Sequence, residues 1–142
     1  MSTLKRHTPL APANRGRRAK LHAANYGARG EAVRAMPCLV AKHHYEDQAG
    51  PSWHIRELIE GGRHPGELAC SGAVEAAHLE GARGMGGCNA DNRGLGPLCS
   101  WHHKQAGERR GSQREAFARL YAIDCSAEVV RIAIELDARG LS

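Results

Sequence analysis

The sequence predicts an α+β domain in which two short strands lead directly into a helix, further helices flank this unit, and a bound metal ion helps to hold it together. Two observations predict the fold class: short apolar segments bounded by glycines lie mid-chain, and amphipathic segments of helical period fill the C-terminal third. A third observation predicts the metal. The 142 residues include 17 glycines but only one Phe, two Trp and three Tyr, and a core this thin usually needs a metal or disulfides.

The cysteines indicate a metal rather than disulfides. There are five of them, an odd number, and the first residues, MSTLKRHTPL, contain no apolar stretch typical of a secretory signal. No run of about 18 apolar residues that could span a membrane is present. We therefore expect a cytoplasmic protein with no membrane partner, whose thiols stay reduced and available to a metal.

Positive charge is concentrated near the N-terminus. Residues 1–36 contain eight Lys or Arg against one Glu, whereas the formal net charge of the whole chain is +5. Residues 1–22 show no apolar period and are predicted to be a flexible basic arm that contacts nucleic-acid phosphates. A leader that only keeps the protein soluble is the alternative. The arm residues expected to bind DNA are Lys5, Arg6, Arg15, Arg17, Arg18 and Lys20.

Residues 23–142 are predicted to form one domain with an insertion at 39–69. A short helix over residues 26–35 must end before Pro37. Within the insertion, turn signals surround the segment SWHIRELIE, in which Ser52 is a plausible N-cap for a helix.

Two strands and a loop are predicted next. The first strand is GAVEAAHLE, residues 72–80, and a glycine-rich loop follows over 81–94. The second strand is LGPLC, residues 95–99, where Pro97 confines it to a sheet edge or a bulge.

Three helices are predicted to complete the domain. One starts at Ser100 and carries WHHKQAGERR, to residue 110. The next is SQREAFARLYAI, an amphipathic helix that buries Phe117, Leu120 and Tyr121. The last is AEVVRIAIELDAR, which Gly140 closes.

A structural zinc site is predicted from cysteine and histidine spacing. Cys99 and His102, with two residues between them at a helix start, form a good zinc knuckle. Cys38 and Cys70 can supply the second pair of ligands. Ordinary buried thiols remain the alternative for Cys38 and Cys70. The two other cysteines, Cys88 and Cys125, are expected to bind no metal.

His103 is predicted to belong to a second site. Adjacent helical residues diverge by about 100°, so His103 cannot easily share the zinc with His102. Its natural companions are His78 on the first strand and the loop residues Asp91 and Asn92. Strand, loop, strand and helix together would bring His78 and His103 face to face across a groove.

These residues carry a resemblance to a known family. The order VEAAHL, GMGG, DN and PLCSWHH, followed by FARLYAID, resembles the HNH endonucleases, the ββα-metal or His-Me finger group, and most of all their small phage-type members. The resemblance spans roughly residues 25–136 and is most specific over 75–103. It implies a ββα-metal core with a zinc knuckle, DNA as partner, and phage packaging or recombination as the context.

The resemblance also implies roles for the site residues. His78 matches the general base, Asn92 or Asp91 braces the loop or touches the catalytic ion, and His103 matches the ligand of that ion, Mg²⁺ or Mn²⁺. The family's zinc centre, where present, matches Cys38, Cys70, Cys99 and His102. The chemistry suits phosphodiester hydrolysis, which needs a neutral imidazole to activate water and a cation where negative charge builds up.

Two departures from the family pattern leave alternatives open. Many members have Asp or His directly before the base, where this chain has Ala77, and another His four residues after the helix histidine, where it has Gly107. The site is therefore either minimal or decayed, and His78 could be a structural histidine. The rival interpretations are a non-catalytic zinc-stabilised DNA-binding module, and an interaction protein whose C-terminal helices dock a partner or a second copy in a homodimer.

Overall fold

The computed structural model of the chain describes residues 26–47, 49–79, 94–107 and 111–141. Within these ranges, one two-stranded sheet is surrounded by helices, which makes the domain α+β as predicted. The elements in chain order are α1 (residues 26–34 of the described chain), α2 (Leu39–His44), α3 (Trp53–Glu60), α4 (Pro65–Leu68), β1 (Val74–His78), β2 (Leu95–Cys99), α5 (Ser100–Ala106), α6 (Gly111–Tyr121) and α7 (Cys125–Ala138).

The two strands form an antiparallel hairpin that confirms both predicted strands. Val74 pairs with Cys99 at one end, and His78 pairs with Leu95 at the other. The backbone hydrogen bonds from Ser100 N to Ala73 O and from Leu79 N to Gly94 O flank the ladder. Because hydrogen-bonded and non-hydrogen-bonded pairs alternate, Pro97 falls at a non-hydrogen-bonded position and its missing N–H leaves no gap in the ladder.

The core is built around β2, in which all five residues are buried. Helices α2, α5 and α7 all pack against this strand, so its side chains find apolar neighbours on both faces. An apolar run of this length that lacks alternation is typical of a strand covered on both sides. The core residues that are less than about 2% exposed are Val33, Leu39, Val40, Ile55, Leu68, Ala77, Leu95, Leu98, Cys99, Ala106, Tyr121, Ile132 and Leu136.

Residues 39–69, predicted as an insertion, contain three helices. The predicted helix is α3, and Ser52 is its N-cap, whose hydroxyl accepts a hydrogen bond from the backbone N–H of Ile55. Helices α2 and α4 were not predicted. Both contribute to the core, through Leu39 and Val40 in α2 and Leu68 in α4.

Helix α5 is shorter than predicted. It ends at Ala106, because Gly107 adopts a φ of +70° and caps the helix with a hydrogen bond from its N–H to His103 O. A left-handed residue of this kind stops an α-helix, and glycine adopts it at no steric cost. The prediction that α5 carries residues 101–110 as one helix is therefore wrong at Gly107, and residues 108–110 lie outside the described residues.

The two C-terminal helices confirm their predictions. In α6, Phe117 and Tyr121 are buried and Leu120 is partly buried against the core. Helix α7 begins after Asp124, whose carboxylate accepts from the N–H of Ala127, and Gly140 follows it with a φ of +76°.

Two histidines attach α2 and α3 to the C-terminal end of α6. His44 donates through Nε2 to Tyr121 O at 2.6 Å and accepts through Nδ1 from the Ser52 hydroxyl, while His54 donates to Leu120 O at 2.8 Å. Burial lowers the pKa of His44, with further lowering by the neighbouring His54 and His43, so the ring is held in its neutral form. These bonds satisfy carbonyls that the end of a helix leaves without partners.

A buried arginine joins the first described helix to the last. Arg29 in α1 is only 2% exposed, and its Nη1 donates to Asp137 Oδ1 at 3.0 Å and to Leu141 O at 2.6 Å. Because a guanidinium removed from water needs such partners, this contact determines where α1 lies. It therefore places Tyr26, at the start of α1, near the hairpin.

Helix α7 offers a matched test of the core. Ile132 is 1% exposed and Ile134, two residues later, is 64% exposed. Replacing Ile132 with Ala should lower the free energy of unfolding by about 2–5 kcal/mol, because it removes buried methyl groups and leaves a cavity. Replacing Ile134 with Ala should change it by less than about 0.5 kcal/mol. Urea unfolding of both variants measures the difference, and equal losses would contradict this packing.

Candidate metal centre and neighbouring histidines

Four side chains from separate parts of the chain meet at one point. Cys38 precedes α2, Cys70 lies between α4 and β1, Cys99 ends β2, and His102 lies in the first turn of α5. One ligand atom from each lies within 4.8 Å of the other three. Cys38, Cys99 and His102 are buried and Cys70 is exposed, so the group lies just under the surface.

The separations suit a tetrahedral metal ion. Nδ1 of His102 is 3.1 Å from Sγ of Cys99, 3.5 Å from Sγ of Cys38 and 3.6 Å from Sγ of Cys70. Tetrahedral zinc with ordinary bond lengths would require about 3.6 Å between nitrogen and sulfur. Cys₃His is a common structural zinc set. This group could therefore hold a metal such as zinc.

The orientation of His102 leaves Nδ1 available as the ligand atom. Its Nε2 donates to the backbone carbonyl of Leu68 at 2.9 Å, which fixes the proton on Nε2. The rings of Phe117 and Tyr121 lie edge-on against the imidazole, at centroid distances of 6.3 and 5.1 Å. The side chain is fully buried and has no room to turn its other nitrogen toward the sulfurs.

Cys70 reaches the cluster because its neighbours are bound to the start of α5. The N–H groups of Ser100 and Trp101 donate to Ala73 O and Ser71 O. Gly72, with a φ of +88°, passes so close to Ser100 that an added Cβ would lie 1.8 Å from the serine hydroxyl. Only glycine permits this approach, which brings the chain around Cys70 against the helix.

The pKa values of Cys38 and Cys70 are shifted in opposite directions. A hydrogen bond from the Cys70 thiol lowers the pKa of Cys38 to about 3, with help from backbone N–H groups and against the effect of burial. The same contact, together with burial, raises the pKa of Cys70. The lowered pKa favours the anionic form of Cys38, and Sγ of Cys99 accepts a hydrogen bond from the N–H of His102. Negative charge gathered in this way favours a soft divalent cation.

The predicted ligand set is therefore confirmed as a spatial cluster that could bind a metal. Cys125, predicted to bind none, is buried in the core at the first turn of α7 and does not belong to the group. Cys88, given the same prediction, lies outside the described residues.

His103 contacts a residue that the sequence analysis did not single out. Its Nδ1 donates to Oε1 of Glu75 in β1 at 2.7 Å. The side chain of His103 is 14% exposed and that of Glu75 is 48% exposed, so the pair lies at the surface.

His78 lies at the end of β1 and contacts α1. Its Nδ1 and the hydroxyl of Tyr26 form a hydrogen bond of 3.3 Å, and the two ring centroids are 5.2 Å apart. Tyr26 therefore holds the orientation of the His78 ring. The sequence carried no signal for this contact, because the two residues are 52 positions apart.

His78 and His103 contact different residues: His78 contacts Tyr26, and His103 contacts Glu75. Successive strand residues point to opposite faces, so Glu75 and His78, three positions apart in β1, lie on opposite faces of the hairpin. Asp91 and Asn92 lie outside the described residues, as do the basic arm and the glycine-rich loop except Gly94. The face-to-face arrangement of His78 and His103 stays a prediction.

Comparison of this chain with protein-family models, with curated proteins and with solved structures found no match. The resemblance to the HNH endonucleases thus stays a prediction that rests on residues of this sequence. Among the described residues, no helix combines the length and the apolar character that crossing a membrane would require.

Replacing Cys99 with Ser tests the metal centre. We expect the purified wild-type protein to contain about one zinc per chain, and the variant to lose the metal and its cooperative unfolding, because binding and folding share one equilibrium in such sites. Elemental analysis and thermal melting measure both effects. Cys125→Ser is the matched control, since that thiol is buried but lies outside the cluster. Zinc-free wild type, or a Cys99→Ser protein that melts normally, would contradict the prediction.

Proposed function

We propose that this protein is a zinc-stabilised DNA endonuclease of the ββα-metal type that hydrolyses phosphodiester bonds. The observation that carries the proposal is the antiparallel hairpin leading directly into α5, with His78 in the hairpin and His103 next to the metal-cluster residue His102. The resemblance to HNH endonucleases implies this order of elements along the chain, with one histidine on a strand and the other on the helix that follows.

In this proposal zinc is structural. Its ligands join the segment before α2, the segment before β1 and the hairpin–helix junction, all of which a small core holds weakly by itself. Binding at His102 also fixes the first turn of α5. His103 follows in the same turn, so zinc determines the direction in which the His103 side chain leaves the helix.

His78 is proposed as the general base. A neutral imidazole can accept a proton from an attacking water near neutral pH. Tyr26 positions the ring through its hydroxyl, and Arg29 holds the helix that carries Tyr26. The proton would move from water to the imidazole while the water oxygen attacks phosphorus, the P–O bond to the leaving oxygen would break, and that oxygen would take a proton from solvent.

His103 is proposed to hold a divalent ion, with Asp91 or Asn92 from the loop beside it. When bound, such an ion supplies positive charge to the phosphate and to the leaving oxygen. His103 lies at the surface in the first turns of α5, where a phosphate can approach it. To bind the ion through Nδ1, the imidazole must carry its proton on Nε2 instead of donating it from Nδ1 to Glu75.

One observation favours a second candidate, a zinc-stabilised DNA-binding module without catalytic activity. Alternation along β1 directs His78 and Glu75, the partner of His103, to opposite faces of the hairpin. A base and a metal ion must act on the same phosphate, so two separate faces would not support hydrolysis. The same fold and basic arm could still bind DNA.

Cleavage of supercoiled plasmid separates the two candidates. Zinc-loaded wild type should nick the plasmid in Mg²⁺ or Mn²⁺ but not in EDTA, and His78→Ala should lower the rate by about 10²- to 10⁴-fold while retaining zinc and DNA binding. The control is His64→Asn, which removes an exposed imidazole but keeps a side chain that can cap α4. Absence of nicking by fully zinc-loaded wild type would favour the binding module, and undiminished cleavage by His78→Ala would refute its role as base.

The basic arm offers a separate test of DNA binding. Deleting residues 2–22 removes six positive charges, so fewer counterions are released when DNA binds. We expect weaker DNA affinity, and a plot of the logarithm of the binding constant against the logarithm of salt concentration whose slope is shallower by up to about five. Bound zinc should be retained. Fluorescence anisotropy against salt concentration measures the slope. An unchanged slope would show that the arm only keeps the protein soluble.

A further inference from the structure

Glu75 and His103 form a contact that none of the site predictions includes. Oε1 of Glu75 and Nδ1 of His103 are 2.7 Å apart, one on β1 and the other on α5. Both atoms belong to side chains that commonly bind metals, and 28 residues of sequence separate them. As the structure stands, one proton joins the two atoms.

The separation of these two atoms also suits a divalent ion. Neighbouring ligands of an octahedral ion with bonds of about 2.1 Å are about 3 Å apart. A cation could therefore lie between the two atoms after a movement of a few tenths of an ångström, with the imidazole proton carried on Nε2 instead of Nδ1. Glu75 is half-exposed, so water can reach the site and complete the coordination of the ion.

We propose that Glu75 and His103 together bind a divalent transition-metal ion of the Mn²⁺ type, at a second site separate from the Cys₃His cluster. The ion's role in cleavage rests on the proposed endonuclease function, whereas its binding does not. Glu75 would then supply the acidic ligand that many HNH endonucleases place at the position of Ala77. Glu75 and Ala77 are two positions apart in β1, so they lie on the same face of the strand.

The ligand types determine the class of ion. One imidazole nitrogen and one carboxylate oxygen favour manganese, cobalt or nickel over magnesium, which prefers oxygen ligands throughout. The Cys₃His cluster, with three sulfurs, selects zinc instead. The two sites thus differ in the metals that they prefer, although they lie side by side.

The zinc cluster determines the geometry of the second site. Glu75 pairs across the hairpin with Leu98, which precedes the zinc-cluster residue Cys99, and His103 follows the zinc-cluster residue His102. A shift of β2 against α5 would move Glu75 and His103 apart. Loss of zinc should therefore abolish binding of the second ion.

Paramagnetic NMR on the zinc-loaded full-length protein tests this site without any measurement of activity. Mn²⁺ is added to protein labelled with ¹⁵N at its histidine rings. The ring signals of His103 should broaden at the lowest Mn²⁺ concentrations, because a paramagnetic ion relaxes the nuclei nearest to it. Glu75→Gln keeps the shape of the side chain but removes its charge, and should raise the Mn²⁺ concentration required at least about tenfold.

Two controls complete the experiment. Glu57→Gln removes an exposed carboxylate on α3 and should leave the titration unchanged. His103→Gln, checked for full zinc content, should lose the tight Mn²⁺ site if His103 is a ligand, and so provides a second variant if Glu75→Gln folds poorly.

The possible outcomes separate this inference from the proposed function. Broadening of His103 that depends on Glu75 supports the site, even if the protein never nicks DNA. Broadening of other residues while His103 stays sharp would overturn it. An unchanged titration for Glu75→Gln would overturn the role of Glu75, even if the wild type is an active nuclease.

Discussion

The rest of this structure depends on the convergence of Cys38, Cys70, Cys99 and His102. These residues come from the segment before α2, the segment before β1 and the junction of β2 with α5. Three sulfurs and an imidazole nitrogen lie together under a small core, where buried polar groups need partners. A metal ion bound there would join the hairpin to the helices. Fold and metal are therefore expected to be gained and lost together.

The cluster also determines which chemistry can take place beside it. His103 adjoins a cluster residue in α5, and Glu75 lies across the hairpin from the residue before Cys99, so both take their positions from the cluster. His78 takes its position from Tyr26 and, through α1, from the buried Arg29. Two separate parts of the core thus hold the two histidines.

Features determined by neighbouring residues could be predicted from the sequence. Cys99 and His102 form a knuckle because two intervening residues place both side chains on one side of a helix start. Ser52 caps α3 because its hydroxyl can reach the N–H three residues later. Both strands and the helices α3, α6 and α7 followed from equally local patterns. The end of α5 was misplaced because helical spacing outweighed the stop signal at Gly107.

Pairings between distant residues were decided only by the tertiary structure. The sequence named four metal ligands, but the carbonyl of Leu68 determines that Nδ1 of His102 faces the sulfurs. Helix α2 was missed because Leu39 and Val40 become a helical face only when β2 packs against them. The contact of Glu75 with His103 depends on hairpin register and on the direction of α5. Such contacts follow from the path of the backbone in space, which spacing along the chain does not contain.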